Sequence, residues 1–156
     1  MRRRIAVLLA AASLAACTGD QDAAPAASPE GFGRGTLVVA TSEGEVRIEV
    51  EIADTTPKRV QGLRGRTSLP PEAGMVFLPE RPERQLFVME DTLIPLSVAW
   101  WDRDGRIFAI QDMEPCPAEP CPLYGTGDES AGAVEVNQGF FRLRGIKVGD
   151  RVTLER

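Results

Sequence analysis

Cys116 and Cys121 are the residues whose type and spacing first suggest chemistry. They stand in Pro115-Cys-Pro-Ala-Glu-Pro-Cys-Pro122. Three chemistries could use such a pair. A disulfide would pin a proline-rich loop, and it is the expected state if the chain is exported to an oxidising compartment. Closing so short a loop contributes roughly 2 kcal/mol in the chain-entropy model, less any strain. A redox-active pair would want Cys-x-x-Cys spacing and a helix start to lower a thiol pKa, and the sequence offers neither. A metal site would want two further soft ligands.

Histidine is absent from the 156 residues. That removes Ser-His-Asp and Cys-His activation of a nucleophile, together with the commonest transition-metal ligand. Any catalysis would fall to Asp, Glu, Tyr, Lys or Arg. Asp102-Arg-Asp-Gly105 has the opening of a calcium loop, but the twelfth position from Asp102 is Met113, where such a loop needs Glu. It reads as a hairpin turn. No metal and no cofactor are expected.

The third cysteine, Cys17, has a different setting. Arg2, Arg3 and Arg4 precede the uncharged stretch Ile5 to Ala12, and Leu14-Ala15-Ala16-Cys17 follows. That is the layout of a secretory signal with a cysteine at its cut. The apolar stretch is shorter than the ~20 residues a bilayer span needs. The layout resembles a bacterial lipoprotein signal, which implies removal of residues 1–16 and lipidation of Cys17. An ordinary cleaved signal with an incidental cysteine is the alternative. Acyl chains would hold the protein at a membrane, each buried methylene contributing ~0.8 kcal/mol. Thr18, where many inner-membrane lipoproteins carry Asp, leans the expectation towards the outer membrane, on its periplasmic side.

Removal of the leader takes away three arginines and no acid, leaving 15 basic and 23 acidic side chains and a formal charge of −8. Such a surface repels phosphates, so no nucleic acid partner is expected. Residues 17–35 are rich in Ala, Pro, Gly, Ser and Asp and read as a flexible tether. Residues 36–156 are the size of one small domain.

The elements that must position any site follow from periodicity. Glu45 to Ile52 alternates strictly, with Val46, Ile48, Val50 and Ile52 on one face. Thr36 to Thr41 precedes it, and Ser42-Glu43-Gly44 makes the two a hairpin. Thr56 as N-cap and Pro57 at the first position start a short helix, with Val60 and Leu63 on one face. Gly74 to Leu78, Gln85 to Met89, Thr92 to Trp101 and Arg106 to Met113 read as further strands, with Pro95 at an edge or bend. Trp100 and Trp101 face opposite sides, and apolar Val98 and Ala99 beside them fit a strand buried on both faces. Gly132 to Val136 is a strand, Asn137 caps a helix from Gln138 to Arg144, and Gly145-Ile146 ends it in a Schellman-type stop. A last strand runs from Arg151 to Glu155. The fold class is therefore mainly β (α+β), a small compact β-barrel or sandwich-like domain with two short helices.

Glu51-Ile-Ala-Asp-Thr-Thr-Pro57, Gln61-Gly-Leu63, Ser68-Leu-Pro-Pro-Glu-Ala-Gly-Met-Val-Phe77, Met89-Glu-Asp-Thr-Leu-Ile-Pro-Leu96, Trp101-Asp-Arg-Asp-Gly-Arg106, Glu135-Val-Asn-Gln-Gly139 and Gly145-Ile-Lys-Val-Gly-Asp-Arg-Val152 stand in this order. Together they resemble the domain-of-unknown-function family 192, over about residues 45–154. The resemblance implies a compact β-rich domain with short helices, often exported, with no established reaction. The chain departs from the family pattern at two places. Glu90-Asp91 stands where Lys-Asn is usual, and Ser97 where Asp is frequent.

Polar residues within these blocks, beside apolar strands, form the candidate ligand-binding set: Arg59, Arg66, Met89, Asp91, Thr92, Tyr124, Glu135 and Asn137, with Glu90 next to them. They would converge on one cleft lined by Met75, Phe77 and Met89, since a small-ligand site needs a few polar groups on an apolar wall. The same residues could instead cap helices, end strands and pair at the surface. The leading functional expectation is a lipid-anchored accessory or small-ligand-binding module of the envelope, with a membrane and a small molecule or glycan as partners. A carboxylate-dependent hydrolase acting on envelope glycan or peptidoglycan is the alternative, and a structural partner of another envelope protein a third. Nothing in the sequence sets an oligomeric state.

Overall fold

The computed structural model describes residues 31–156. The signal, Cys17 and most of the expected tether lie outside the described residues. Seven strands form one curled sheet: β1 (Gly33–Thr41), β2 (Gly44–Ala53), β3 (Ala73–Phe77), β5 (Leu96–Trp101), β6 (Ile107–Met113), β8 (Gly132–Asn137) and β9 (Arg151–Glu155), in the order β6-β5-β8-β3-β2-β1-β9. A second sheet pairs only β4 (Phe87–Val88) with β7 (Leu123–Tyr124). Two short helices, α1 (Thr56–Gln61) and α2 (Phe140–Leu143), complete the described elements.

The sheet is antiparallel except between β2 and β3, which run parallel. A parallel pair needs a crossover, and α1 lies on it. The two edges meet at one end. Ile107 N–H donates to the Asp150 carbonyl at 2.8 Å and Gly149 N–H to the Ile107 carbonyl at 2.8 Å, beside an Arg106–Arg151 bridge. The result is a half-barrel, in agreement with the expected mainly β fold.

Period-two alternation divides the sheet into two apolar faces. Leu37, Val39, Ile48, Val76, Val134 and Val136 belong to the core inside the curl, with Phe140, Phe141 and Ile146. Met75, Phe77, Leu96, Val98, Trp100 and Ala133 belong to a second core on the other face, closed by Phe87 of β4 and by Leu63, Leu69 and Met89 from connecting segments. Trp100 and Trp101 are both buried, one in each core. Central strands therefore carry near-continuous apolar runs.

Several local expectations are corrected. The strand expected over Gln85–Met89 shrinks to Phe87–Val88, because its one partner is the two-residue β7. The strand expected from Thr92 starts at Leu96, just after Pro95. Thr55, not Thr56, is the N-cap of α1, and it makes no side-chain capping bond. Val60 is 65% exposed while Leu63, beyond the helix end, is 2% exposed, so the two do not share a buried helix face. Asn137 ends β8 and does not cap α2, whose N-cap is Gly139 at φ 79°. The Asn137 amide instead donates to the Leu69 and Pro70 carbonyls at 3.0 and 3.1 Å. The stop after α2 is as expected: Gly145 has φ 67°, and Ile146 N–H donates to the Phe141 carbonyl at 2.9 Å.

Candidate functional site

On the second face, strand register sets four side chains in a row across the sheet. Glu51 of β2 is paired with Met75 of β3, Met75 with Glu135 of β8, and Glu135 with Val98 of β5. Gly74 brings β3 and β8 together here: a Cβ at that position would lie 2.6 Å from the Glu135 carbonyl oxygen. Two carboxylates thus enter an apolar face, and each meets a different environment.

Glu51 is met by Arg66, whose Nη1 and Nη2 donate to its two carboxylate oxygens at 2.7 and 2.6 Å. Glu135 is 5% exposed and makes no ion pair or hydrogen bond with the described residues. Its row neighbours are the hydrocarbon of Met75 and Val98. Burial therefore raises its pKa from the usual carboxyl value to about 8, since water no longer stabilises the charge. At neutral pH it is a carboxylic acid, with one O–H to donate and a carbonyl to accept.

Glu135 lines a cleft of about 410 Å³. One wall is α1 and the turn after it, with Arg59, Val60, Leu63 and Arg64; the other is the segment 83–88, with Arg84, Gln85, Leu86 and Phe87. Phe77 and Thr92 complete the lining beside Glu135. Thr55 and Pro57 start the first wall, and Gly62, at φ 47°, turns the chain out of the helix against the Phe77 ring. Arg59 ties this wall to the sheet by donating to the Leu78 carbonyl at 3.1 Å and to Thr56 Oγ1 at 3.1 Å. The second wall is held by Gln85 Nε2 donating to Ser130 Oγ at 2.8 Å and by the Glu83–Ser130 bridge. Phe87 packs edge-on against Phe77 at 4.9 Å and against Trp100 at 5.7 Å. Trp100 Nε1 is a buried donor without a partner among the described residues.

Of the candidate set, Arg59, Thr92 and Glu135 line this cleft, together with Phe77 of the expected wall. Met75 and Met89, expected in the lining, are not part of it; they are buried in the second core at 0% and 1% exposure. Arg66 is occupied with Glu51, and Asn137 with the Leu69–Pro70 backbone. Glu90 and Asp91 stand outside and pair with Arg64 at 2.8 and 3.3 Å, so the family departure there gives that arginine two acidic partners. Tyr124 pairs with Phe87 through β7, and its hydroxyl accepts the Glu114 N–H at 3.3 Å. Ser97 is buried; its hydroxyl donates to Asp112 Oδ1 and accepts the Gly139 N–H at 2.8 Å. The neighbouring strand thus supplies a carboxylate next to the position where the family often carries one. Sequence reasoning missed Leu63, Arg84, Gln85 and Leu86. Gln85, a polar residue opening an apolar run, was the available signal.

Cys116 and Cys121 form a disulfide with their Cα atoms 5.6 Å apart. It closes the proline-rich loop after β6, and neither cysteine is among the residues lining the cleft. Among the described residues no group of three Cys, Asp or Glu side chains could hold a metal ion.

Comparison with known proteins adds a family and a fold. A structure of a candidate transcription regulator from Sinorhizobium meliloti 1021 is 25% identical and superposes with a TM-score of 0.75, covering 81% of this chain and 98% of that one. A structure of a protein of unknown function from Novosphingobium aromaticivorans DSM 12444 is 30% identical, also at 0.75, covering 85% and 94%. No curated protein matches the chain. The model of the DUF192 family, described as an uncharacterised ACR, matches residues 38–154. The cleft, the disulfide and all but the edge of the cores fall within that span, and the chain belongs to the DUF192 family.

Proposed function

We propose that this chain is an exported, lipid-anchored domain of the cell envelope that binds a small molecule in the cleft over Glu135. One observation carries the binding reading. A carboxyl group that is almost wholly buried faces a 410 Å³ cleft with no protein partner among the described residues. An unpaired buried polar group costs about 1–3 kcal/mol, and a ligand that supplies the missing hydrogen bond recovers that cost. The volume is that of a small-ligand site, and Phe77, Phe87 and Leu63 provide the apolar walls such sites have. Export and anchoring are supported by the Arg2–Arg4, Ile5–Ala12 and Leu14-Ala-Ala-Cys17 layout and agree with a disulfide at Cys116–Cys121.

A second reading has its own support. A carboxyl group with its pKa raised to about 8 is suited to the general-acid role in a glycan hydrolase, and Glu83 lines the same cleft as a second carboxylate. A thermal-shift screen of the protein against envelope metabolites and glycans separates the outcomes. Binding raises the melting temperature with ligand concentration in the parent and not in Glu135→Ala. Cleavage of a bound glycan that stops in Glu135→Gln, with binding kept, selects the hydrolase. A screen without any Glu135-dependent shift overturns both. Anchoring has a separate test: mass spectrometry of the mature protein finds Cys17 acylated as its first residue, and retention of residues 1–16 contradicts it.

A further inference from the structure

Resting on the reading of this cleft as a ligand site, we propose that its occupant is a small organic acid with an apolar body and a hydroxyl or carbonyl group at the far end. The hydroxyl or carbonyl meets Glu135, the body lies on Phe77 and Phe87, and the anionic end meets Arg84.

The inner end of the ligand is set by what Glu135 lacks. Glu51 on the same face has its own guanidinium, and Arg66 is committed to it through two hydrogen bonds. Met75 and Val98 flank Glu135 without charge. Among the described residues no cation pairs with Glu135, and a neutral carboxyl pairs with a neutral group that accepts its O–H, a hydroxyl also donating to its carbonyl oxygen. A second carboxylate driven to this depth would lose its water with no cation to replace it.

The outer end is set by the arginines. Three line the cleft, against Glu135 and the single further carboxylate Glu83. Arg59 is used by the Leu78 carbonyl and Thr56, and Arg64 by Glu90 and Asp91. Arg84 is exposed and makes no ion pair or hydrogen bond with the described residues, so its fork is open to a carboxylate. An ammonium group driven to the depth of Glu135 would likewise give up its water. Between the ends, Leu86, 62% exposed, and Val60, 65% exposed, extend the aromatic wall outward.

The test is isothermal titration of the full-length protein with matched straight-chain probes: an ω-hydroxy carboxylate, the unsubstituted carboxylate, the ω-amino carboxylate and the diol. The ω-hydroxy carboxylate should bind about tenfold more tightly than each of the others, as one hydrogen bond or ion pair of ~1.4 kcal/mol implies. Arg84→Gln, a surface change, should remove its preference over the diol. Glu135→Gln should keep binding, and Glu135→Ala should remove the preference over the unsubstituted acid. Equal or tighter binding of the diol or the amino acid, still lost in Glu135→Ala, overturns the ligand class and leaves the cleft as a site. The absence of Glu135-dependent binding by every probe overturns both.

Discussion

Glu51 and Glu135 stand on one face of the sheet with only Met75 between them in register, yet one is bound by an arginine and the other has no partner among the described residues. The difference is a single guanidinium. Arg66 reaches Glu51 with two hydrogen bonds, and no cation among the described residues pairs with Glu135. The pair shows how one apolar face holds two carboxyl groups: it matches one with charge and leaves the other uncharged.

The first prediction concerns the matched group. Arg66 and Glu51 have side chains only 11% and 15% exposed, so the pair is well shielded from water. Arg66→Met leaves a part-buried carboxylate without its cation and should destabilise the fold by about 2–3 kcal/mol, somewhat below the 3–5 kcal/mol of a fully buried pair. Adding Glu51→Gln should recover at least half of the loss. Urea unfolding of the two variants measures both. A loss under about 0.5 kcal/mol for Arg66→Met would place the pair with ordinary surface ion pairs.

The second concerns the unmatched group. Its folded pKa of about 8 lies above the unfolded value near 4.5. The folded state therefore holds the proton more tightly, and stability from this group is full below about pH 4.5. It is lost as pH rises towards 8, by up to ~1.4 kcal/mol per unit, and levels off above that. Charged groups facing the site are Arg59 and Arg64 on one wall, Glu83 and Arg84 on the other and the Glu51–Arg66 pair beside it. Their contributions cancel when the protein is compared with Glu135→Gln. The difference in unfolding free energy between the two should fall from pH 5 to pH 8, and a flat difference would contradict the raised pKa.

The hairpin of β1 and β2 was legible because Val46, Ile48, Val50 and Ile52 alternate with charges and Ser42-Glu43 turns the chain. Gly145-Ile146 was legible because a left-handed glycine followed by an apolar residue has few other uses. The cleft walls were not. Val60 and Leu63 satisfy helical spacing, but Gly62 ends the helix between them, and only Leu63 is covered, by packing into the second core. Gln85–Met89 has the composition of a strand, but strand length is fixed by a partner, and β7 offers two residues. Glu135 could be named from the sequence as a candidate. That Arg66 serves Glu51 in its place depends on register across three strands.

The disulfide gives a third prediction. The loop it closes is short, so its effect on the unfolded chain is limited. Reduction, or Cys116→Ala with Cys121→Ala, should cost about 2 kcal/mol and leave the sheet intact, since the bond lies outside both sheets and the Cys116 N–H, which donates to the Met89 carbonyl at 3.4 Å, is kept. Denaturation midpoints with and without reductant, alongside far-ultraviolet circular dichroism, check it. Global unfolding on reduction would contradict this limited role.

The carboxyl of Glu135 itself is the most direct place to look. Carbon-13 labelling of the glutamates and a nuclear magnetic resonance titration follow its ionisation alone. The account predicts a midpoint near pH 8 in the free protein, displaced when a ligand enters the cleft. A midpoint in the ordinary range near 4.5 would mean that water or a cation already attends this group, and the cleft would lose its reason to bind.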